Sequence, residues 1–200
     1  MENPDDQEIK VILVGEMFTG KTSLINAAIG LPFHEGEMST STASFVTKVV
    51  KINGKHYSLN IWDTIGQEKF RALTKIFIKD SKIVIFVYDI TNIHTFNEIE
   101  NYWFKTIYDV LGDKPVLGIV GNKQDLFVKE QVKEEVAQKY ADDKKVSFKL
   151  TTAKNPLSFN KFLEELLKQY IEKCGGKIEA SDGKKLNDNK DNKNKEKRSC

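Results

Sequence analysis

Two cysteines in 200 residues, Cys174 and Cys200, exclude a disulfide scaffold. The longest unbroken apolar run, Ile83 to Tyr88, is about a third of what a membrane span requires. Charge of one sign is scarce too: 31 Lys plus Arg against 29 Asp plus Glu leave +2 overall. That balance provides no general basic field for nucleic acid. His34, His56 and His94 are scattered, without metal-ligand spacing. Nothing apolar follows the acidic start Met1-Glu2-Asn3-Pro4-Asp5-Asp6, so no secretory leader is expected and the chain is expected to face the cytosol. There is no internal repeat. What remains, 40% hydrophobic and 30% charged, is enough for one domain with a full core.

The charges are unevenly placed. Residues 175–200 carry eight basic and five acidic groups and almost nothing apolar, so the segment cannot bury enough surface to fold. Gly175-Gly176 reads as a helix stop followed by a joint. The expected organisation is a short flexible start (1–7), a folded domain (8–174) and a Lys/Asn-rich tail (175–200).

Within the domain, short Val/Ile-rich runs read as buried strands: Lys10–Gly15, Lys82–Asp89, Val116–Asn122 and Val146–Thr151. Between them, Lys21–Gly30, Thr95–Leu111, Glu130–Tyr140 and Ser158–Cys174 place apolar residues at helical spacing. The alternation predicts an α/β domain whose mostly parallel sheet carries helices on both faces. Phe45–Ile52 and Tyr57–Asp63 flank Asn53-Gly54, a strong hairpin signal, because both central residues need positive φ. One antiparallel hairpin strand is therefore expected within the sheet.

Gly15-Glu16-Met17-Phe18-Thr19-Gly20-Lys21-Thr22 fits G-x-x-x-x-G-K-[ST] between a strand and a helix, the context the motif requires. To wrap a phosphate, successive backbone N–H groups must converge on it, and Gly15 and Gly20 permit the dihedrals. The following helix, entered at Thr22 and Ser23, presents its positive end to the anion. Lys21 is suited to reach the β- and γ-phosphates, and the Thr22 hydroxyl is a hard oxygen ligand for Mg²⁺.

Asp63 ends a strand in Asp63-Thr64-Ile65-Gly66-Gln67-Glu68, where a carboxylate can hold the Mg²⁺ shell. Gly66 can bring its N–H to a γ-phosphate, and the Gln67 carboxamide can both donate to and accept from an attacking water. Asn122-Lys123-Gln124-Asp125 follows another strand, at the sheet edge where such folds bind ligands. A carboxylate there can take both N1–H and the exocyclic amine of guanine. The backbone of Thr152-Ala153-Lys154, after the last strand, can donate to guanine O6. The pair of motifs selects GTP over ATP.

The ordered set Gly15–Thr22, Thr40, Asp63–Glu68, Asn122–Asp125 and Thr152–Lys154 resembles the Ras superfamily of small GTPases over roughly residues 8–173. Within it the chain resembles the Rab family. Phe33-His34-Glu35, Ile61-Trp62-Asp63-Thr64, Val87-Tyr88-Asp89-Ile90-Thr91-Asn92 and Tyr140-Ala141-Asp142-Asp143 look most like the early-endosomal Rabs. The resemblance implies a three-layer P-loop GTPase fold on a six-stranded sheet and slow hydrolysis of GTP to GDP, with Lys21 and Gln67 as catalytic groups. It implies Mg²⁺ bound by Thr22, Thr40 and Asp63, with Thr42 a rival for Thr40. Phe33 would lie against the guanine. Phe45, Trp62 and Phe77 fall where Rabs carry an exposed aromatic triad read by effectors; the alternative is ordinary sheet-covering core. The implied partners are an exchange factor, a GTPase-activating protein, GTP-dependent effectors and an escort or dissociation-inhibitor chaperone, around a monomeric domain.

Several positions depart from the family pattern. Met17 and Phe18 put large side chains where relatives carry small ones, crowding the γ-phosphate mouth; the rival reading is a poorly hydrolysing GTP-binding scaffold. Ile65, Ser41-Thr42 and Thr152 also differ from the usual residues. An ATP-using P-loop enzyme is a second rival, opposed by Asn122 and Asp125. Rabs are usually prenylated on C-terminal cysteines, most often two; here Cys200 stands alone and outside a C-a-a-X box. One lipid plus the basic tail would anchor the chain to an anionic endosomal or vesicle membrane, with a reach of roughly 28 Å. The alternative is an unmodified tail. Cys174, near a helix end, reads as structural.

Overall fold

The computed structural model describes residues 7–35, 44–64 and 71–175. Among the described residues six strands form one sheet: β1 (Gln7–Val14), β2 (Ser44–Ile52), β3 (Lys55–Asp63), β4 (Ile83–Asp89), β5 (Val116–Asn122) and β6 (Ser147–Leu150). Their spatial order is β2-β3-β1-β4-β5-β6. Only β2 and β3 pair antiparallel; every other neighbour is parallel. The hairpin turns at Asn53 (φ 49°) and Gly54 (φ 82°), both left-handed, as the Asn-Gly pair requires.

Side chains of β1 alternate between two apolar layers. Ile9, Val11 and Leu13 join α1 (Lys21–Ala28) and α6 (Pro156–Lys173), through Leu24, Phe159, Phe162, Leu163 and Leu166. Ile12 and Val14 face the other way, to Ile78 of α2 (Arg71–Ile78), Trp103, Ile107 of α4 (Lys105–Leu111), and Ala137 and Ala141 of α5 (Glu134–Lys144). β4 is buried along its whole length, which is why it reads as an unbroken apolar run rather than an alternation. Each large side chain in these layers contributes about 1.5–3 kcal/mol on burial. The result is the expected three-layer α/β architecture.

The differences from the sequence expectation are local. An extra helix, α2, carries Ile76, Phe77 and Ile78; at eight residues it is shorter than the window in which a 3.6-residue period stands out. A 3₁₀ turn occupies Gln124–Lys129. The helix expected at Thr95–Leu111 is three pieces: α3 (Ile93–Glu98), a π-helical segment (Ile99–Phe104) and α4. α5 starts at Glu134 rather than Glu130, because Lys133 is extended (ψ 143°). α6 begins at Pro156, capped by the Asn155 side chain, which accepts from Leu157 N–H at 3.1 Å. It stops at Lys173, with Cys174 as its C-cap packed against the core and Gly175 at φ 60°. Among the described residues no helix is long and apolar enough to cross a membrane.

Candidate nucleotide-binding site

Parallel strands start their loops from the same edge, so β1, β3, β4, β5 and β6 bring Val14, Asp63, Asp89, Asn122 and Leu150 to one side of the sheet. Here the loop Gly15–Gly20 leaves β1 and enters α1. Gly15 (φ 150°) passes so close to β4 that an added Cβ would lie 2.1 Å from the Val87 carbonyl oxygen. At Gly20 (φ 88°) it would lie 2.4 Å from Asn122 Nδ2. Neither site admits a side chain, and both conformations favour glycine.

Lys21 is buried, and its Nζ donates to the carbonyls of Gly15 and Glu16, each at 2.9 Å. Burial pushes this ammonium down to about 8, with the Asp63 and Glu16 carboxylates pulling the other way. A desolvated cation held by two loop carbonyls is suited to an anion that restores the lost solvation. Thr19, fully buried, donates its hydroxyl to the Glu16 carbonyl at 2.9 Å. Glu16 and Met17 are half-buried. Phe18 has φ 60° and is 65% exposed, a left-handed conformation that costs a bulky residue about 1–2 kcal/mol. Its ring is turned to solvent.

The Thr22 hydroxyl donates to Asp63 Oδ2 at 2.7 Å. A hydroxyl oxygen and a carboxylate oxygen meeting beside the phosphate loop are hard donors of the kind Mg²⁺ takes, so the two fit that ion. Thr64 anchors the end of β3 by donating to the Leu13 carbonyl at 2.7 Å. Ser23 is half-buried in the first turn of α1.

The other end of the cleft is set by the residues after β5 and β6. Asn122 is buried and its side chain turns toward the phosphate loop: Nδ2 donates to the Thr19 carbonyl at 2.9 Å, and Oδ1 accepts from Thr151 at 3.4 Å. Lys123 takes a left-handed φ of 66° and pairs with Asp89 Oδ2 at 2.6 Å. Asp125 is more open. Thr152 donates its hydroxyl to Oδ1 at 2.6 Å, and Lys154 Nζ lies 2.9 Å from Oδ2. Partial burial raises the Asp125 carboxyl, but the hydrogen bonds from Thr152 and Lys154 outweigh it and hold it below its ordinary 3.8. Lys154, bonded to Asp125, is held above 10.5. The same ammonium lies 5.5 Å from the Phe33 ring centroid and 3.8 Å from Glu35. Ala153, between Thr152 and Lys154 in the chain, is buried.

Phe45, Trp62 and Phe77 form a stack. Centroids are 4.9 Å apart for Phe45–Trp62 and 6.0 Å for Trp62–Phe77, with Lys10 Nζ 4.7 Å from the Trp62 ring. Phe45 is half exposed, while Trp62 and Phe77 are half-buried and pack against the core layer. Thr40, Thr42, Ile65, Gly66, Gln67 and Cys200 lie outside the described residues.

Sequence reasoning missed two participants. Asp89, buried at the end of β4, receives Lys123 and also Thr91 N–H and hydroxyl, at 2.8 and 2.7 Å. Its position at a strand's C-terminal edge was a usable signal. Trp103, 2% exposed, donates its indole N–H to Glu16 Oε1 at 3.0 Å. Spaced four residues from both Ile99 and Ile107, it reads simply as core.

The sequence model of the Ras family matches residues 10–172. Ras-related protein Rab-21 of Homo sapiens is 40% identical over 172 residues, covering 86% of this chain and 73% of the relative. Rab-21 of Bos taurus is 40% identical over the same length, covering 86% and 74%. Rab-21 of Geodia cydonium is 40% identical over 163 residues, covering 82% and 71%.

Proposed function

Since the chain belongs to the Ras superfamily of small GTPases and, within it, to the Rab family in its early-endosomal branch, we propose that the cleft described above binds GTP and GDP and turns over GTP slowly. The protein is a Rab-like small GTPase of membrane trafficking. One observation carries the site assignment: the buried Lys21 ammonium and the Thr22–Asp63 pair share a sheet edge with the Asp125–Thr152–Lys154 cluster.

In this reading the amides of Gly15 to Thr22 and Ser23 wrap the phosphates, and Lys21 moves from the loop carbonyls onto phosphate oxygens. Asp125 takes the two guanine donors, Ala153 N–H and its neighbours face O6, and Phe33 covers the base. Asn122 and Lys123 hold that end to the phosphate loop and to Asp89. Thr22 and Asp63, with Thr40, would hold Mg²⁺, which supplies charge neutralisation on the phosphates. Gln67 orients the water for in-line attack on the γ-phosphoryl group. Phosphoryl transfer requires little of the protein beyond position and charge. Without an arginine from a partner such a site is slower by roughly 10³–10⁵. Thr40 and Gly66 would register the γ-phosphate and release the two flanking loops after hydrolysis.

Family membership implies exchange factors, activating proteins, effectors and dissociation inhibitors as kinds of partner. The stack of Phe45, Trp62 and Phe77, exposed at Phe45 and half-buried at the other two, is the proposed effector surface, and residues 175–200, with a lipidated Cys200, the proposed tether to the cytoplasmic face of endosomal or vesicle membranes. A poorly hydrolysing scaffold is the weaker reading, because Phe18, the larger of the two crowding residues, is turned to solvent. Single-turnover phosphate release tests this: wild type releases phosphate from bound GTP, and Gln67→Leu slows release by about tenfold or more. Equal rates in the two would overturn the role of Gln67.

A further inference from the structure

A buried indole N–H costs free energy unless it finds an acceptor, and Trp103 lies in the apolar layer with Ile12, Val14 and Phe86. The acceptor it finds is no neighbour in its own layer but the side chain of Glu16, at 3.0 Å, in the phosphate loop. Trp103 belongs to the π-helical segment Ile99–Phe104, and isolated π turns recur where a helix serves a functional site. Its flanks are fixed: Tyr102 packs edge-on against Trp103 at 4.9 Å, and Phe104 stacks on Phe86 at 4.7 Å. The Glu16 backbone carbonyl, in turn, receives both Lys21 Nζ and the Thr19 hydroxyl.

We propose that Trp103 is a positioning residue for nucleotide binding: its indole N–H fixes the Glu16 side chain, and Glu16 fixes the loop that seats Lys21 and Thr19. A charge-assisted hydrogen bond thereby ties the helical layer to the phosphate end of the cleft. The inference rests on the nucleotide-binding reading of the loop. A loop held this way retains its nucleotide longer, because the carbonyl that anchors Lys21 between nucleotides stays in place.

The test is the dissociation rate of GDP from the full-length, Mg²⁺-replete protein, measured for Trp103→Phe, Glu16→Ala and their combination. Trp103→Phe and Glu16→Ala each speed release by about tenfold, on the scale of one hydrogen bond to a charged group. The double variant is no faster than Glu16→Ala alone, and Glu16→Gln, which keeps an acceptor, is affected several-fold less than Glu16→Ala. A purely structural Trp103 would lower the melting temperature equally in both backgrounds and leave the release rate alone, which overturns the proposal. If Trp103→Phe does not fold, the Glu16 pair decides: equal rates for Ala and Gln overturn it, and faster release from Ala supports it. Absence of GDP binding by the wild type would instead refute the functional reading itself.

Discussion

At the phosphate end of the cleft, Lys21, Thr19 and Asp63 are buried, and the contacts run largely to backbone carbonyls. At the base end, Asp125 and Lys154 are open to solvent and meet through side chains. The first end is built into the fold: Gly15 presses on β4, Gly20 on Asn122, and the loop closes over its own lysine. The second is mounted on it, held by the strand ends of β5 and β6. Asn122 joins them, its backbone ending β5 and its amide holding the Thr19 carbonyl. On the proposed reading, ligand binding at the phosphate end would be coupled to stability, whereas the base end would change specificity with little effect on the fold.

Three substitutions or conditions probe that contrast. The largest expected effect is at the base end. Asp125→Asn exchanges an acceptor pair for a mixed one, which weakens GDP by roughly 100-fold, for two bonds to a charged group at about 1.5 kcal/mol each. It should strengthen xanthosine diphosphate correspondingly and leave the melting temperature of the nucleotide-free protein within a few degrees. Unchanged GDP affinity would break the base assignment. Next is Gly20→Ala, which forces a Cβ to 2.4 Å from Asn122 Nδ2 at a left-handed φ. Denaturant unfolding should show a loss of about 1–3 kcal/mol, because here the ligand loop is part of the fold. Wild-type stability in this variant would separate the loop from the core.

The smallest effect is a pH dependence. Asp125 is held below 3.8, so its contribution is complete above that value and is lost as pH falls through the lower, folded-state value. Lys154 is held above 10.5, so its contribution is complete below 10.5 and is lost as pH rises through the higher folded value. Between those two ordinary values both groups keep their charges, and the pair contributes fully. A carbon NMR titration of the Asp125 carboxyl should show a midpoint below 3.8; one above it would mean that the Thr152 and Lys154 contacts do not persist in solution.

The sheet was legible because buried parallel strands leave unbroken Val/Ile runs, as in β4, and because Asn53-Gly54 admits few alternatives. The phosphate loop was legible for a chemical reason: wrapping an anion in backbone amides demands glycine at two fixed places, and the buried lysine must follow the second. What escaped had no local trace. α2 makes about two turns, too few for a period to emerge. The π segment widens one turn of a helix whose apolar spacing is otherwise ordinary. Asn122 reaches Thr19 across 103 residues and Trp103 reaches Glu16 across 87, distances over which a sequence shows composition but not proximity. Asn122 sits in the base-reading motif, and what the sequence does not show is that its side chain also holds the Thr19 carbonyl and accepts from Thr151.

On the proposed reading this cleft recognises guanine while its buried lysine loop holds the phosphates. Titration calorimetry of Mg²⁺-replete protein with GDP and with ADP tests it most directly. GDP should bind tighter by roughly 10³-fold or more, since adenine leaves the Asp125 carboxylate without its two donors. Equal affinity for the two nucleotides would contradict it.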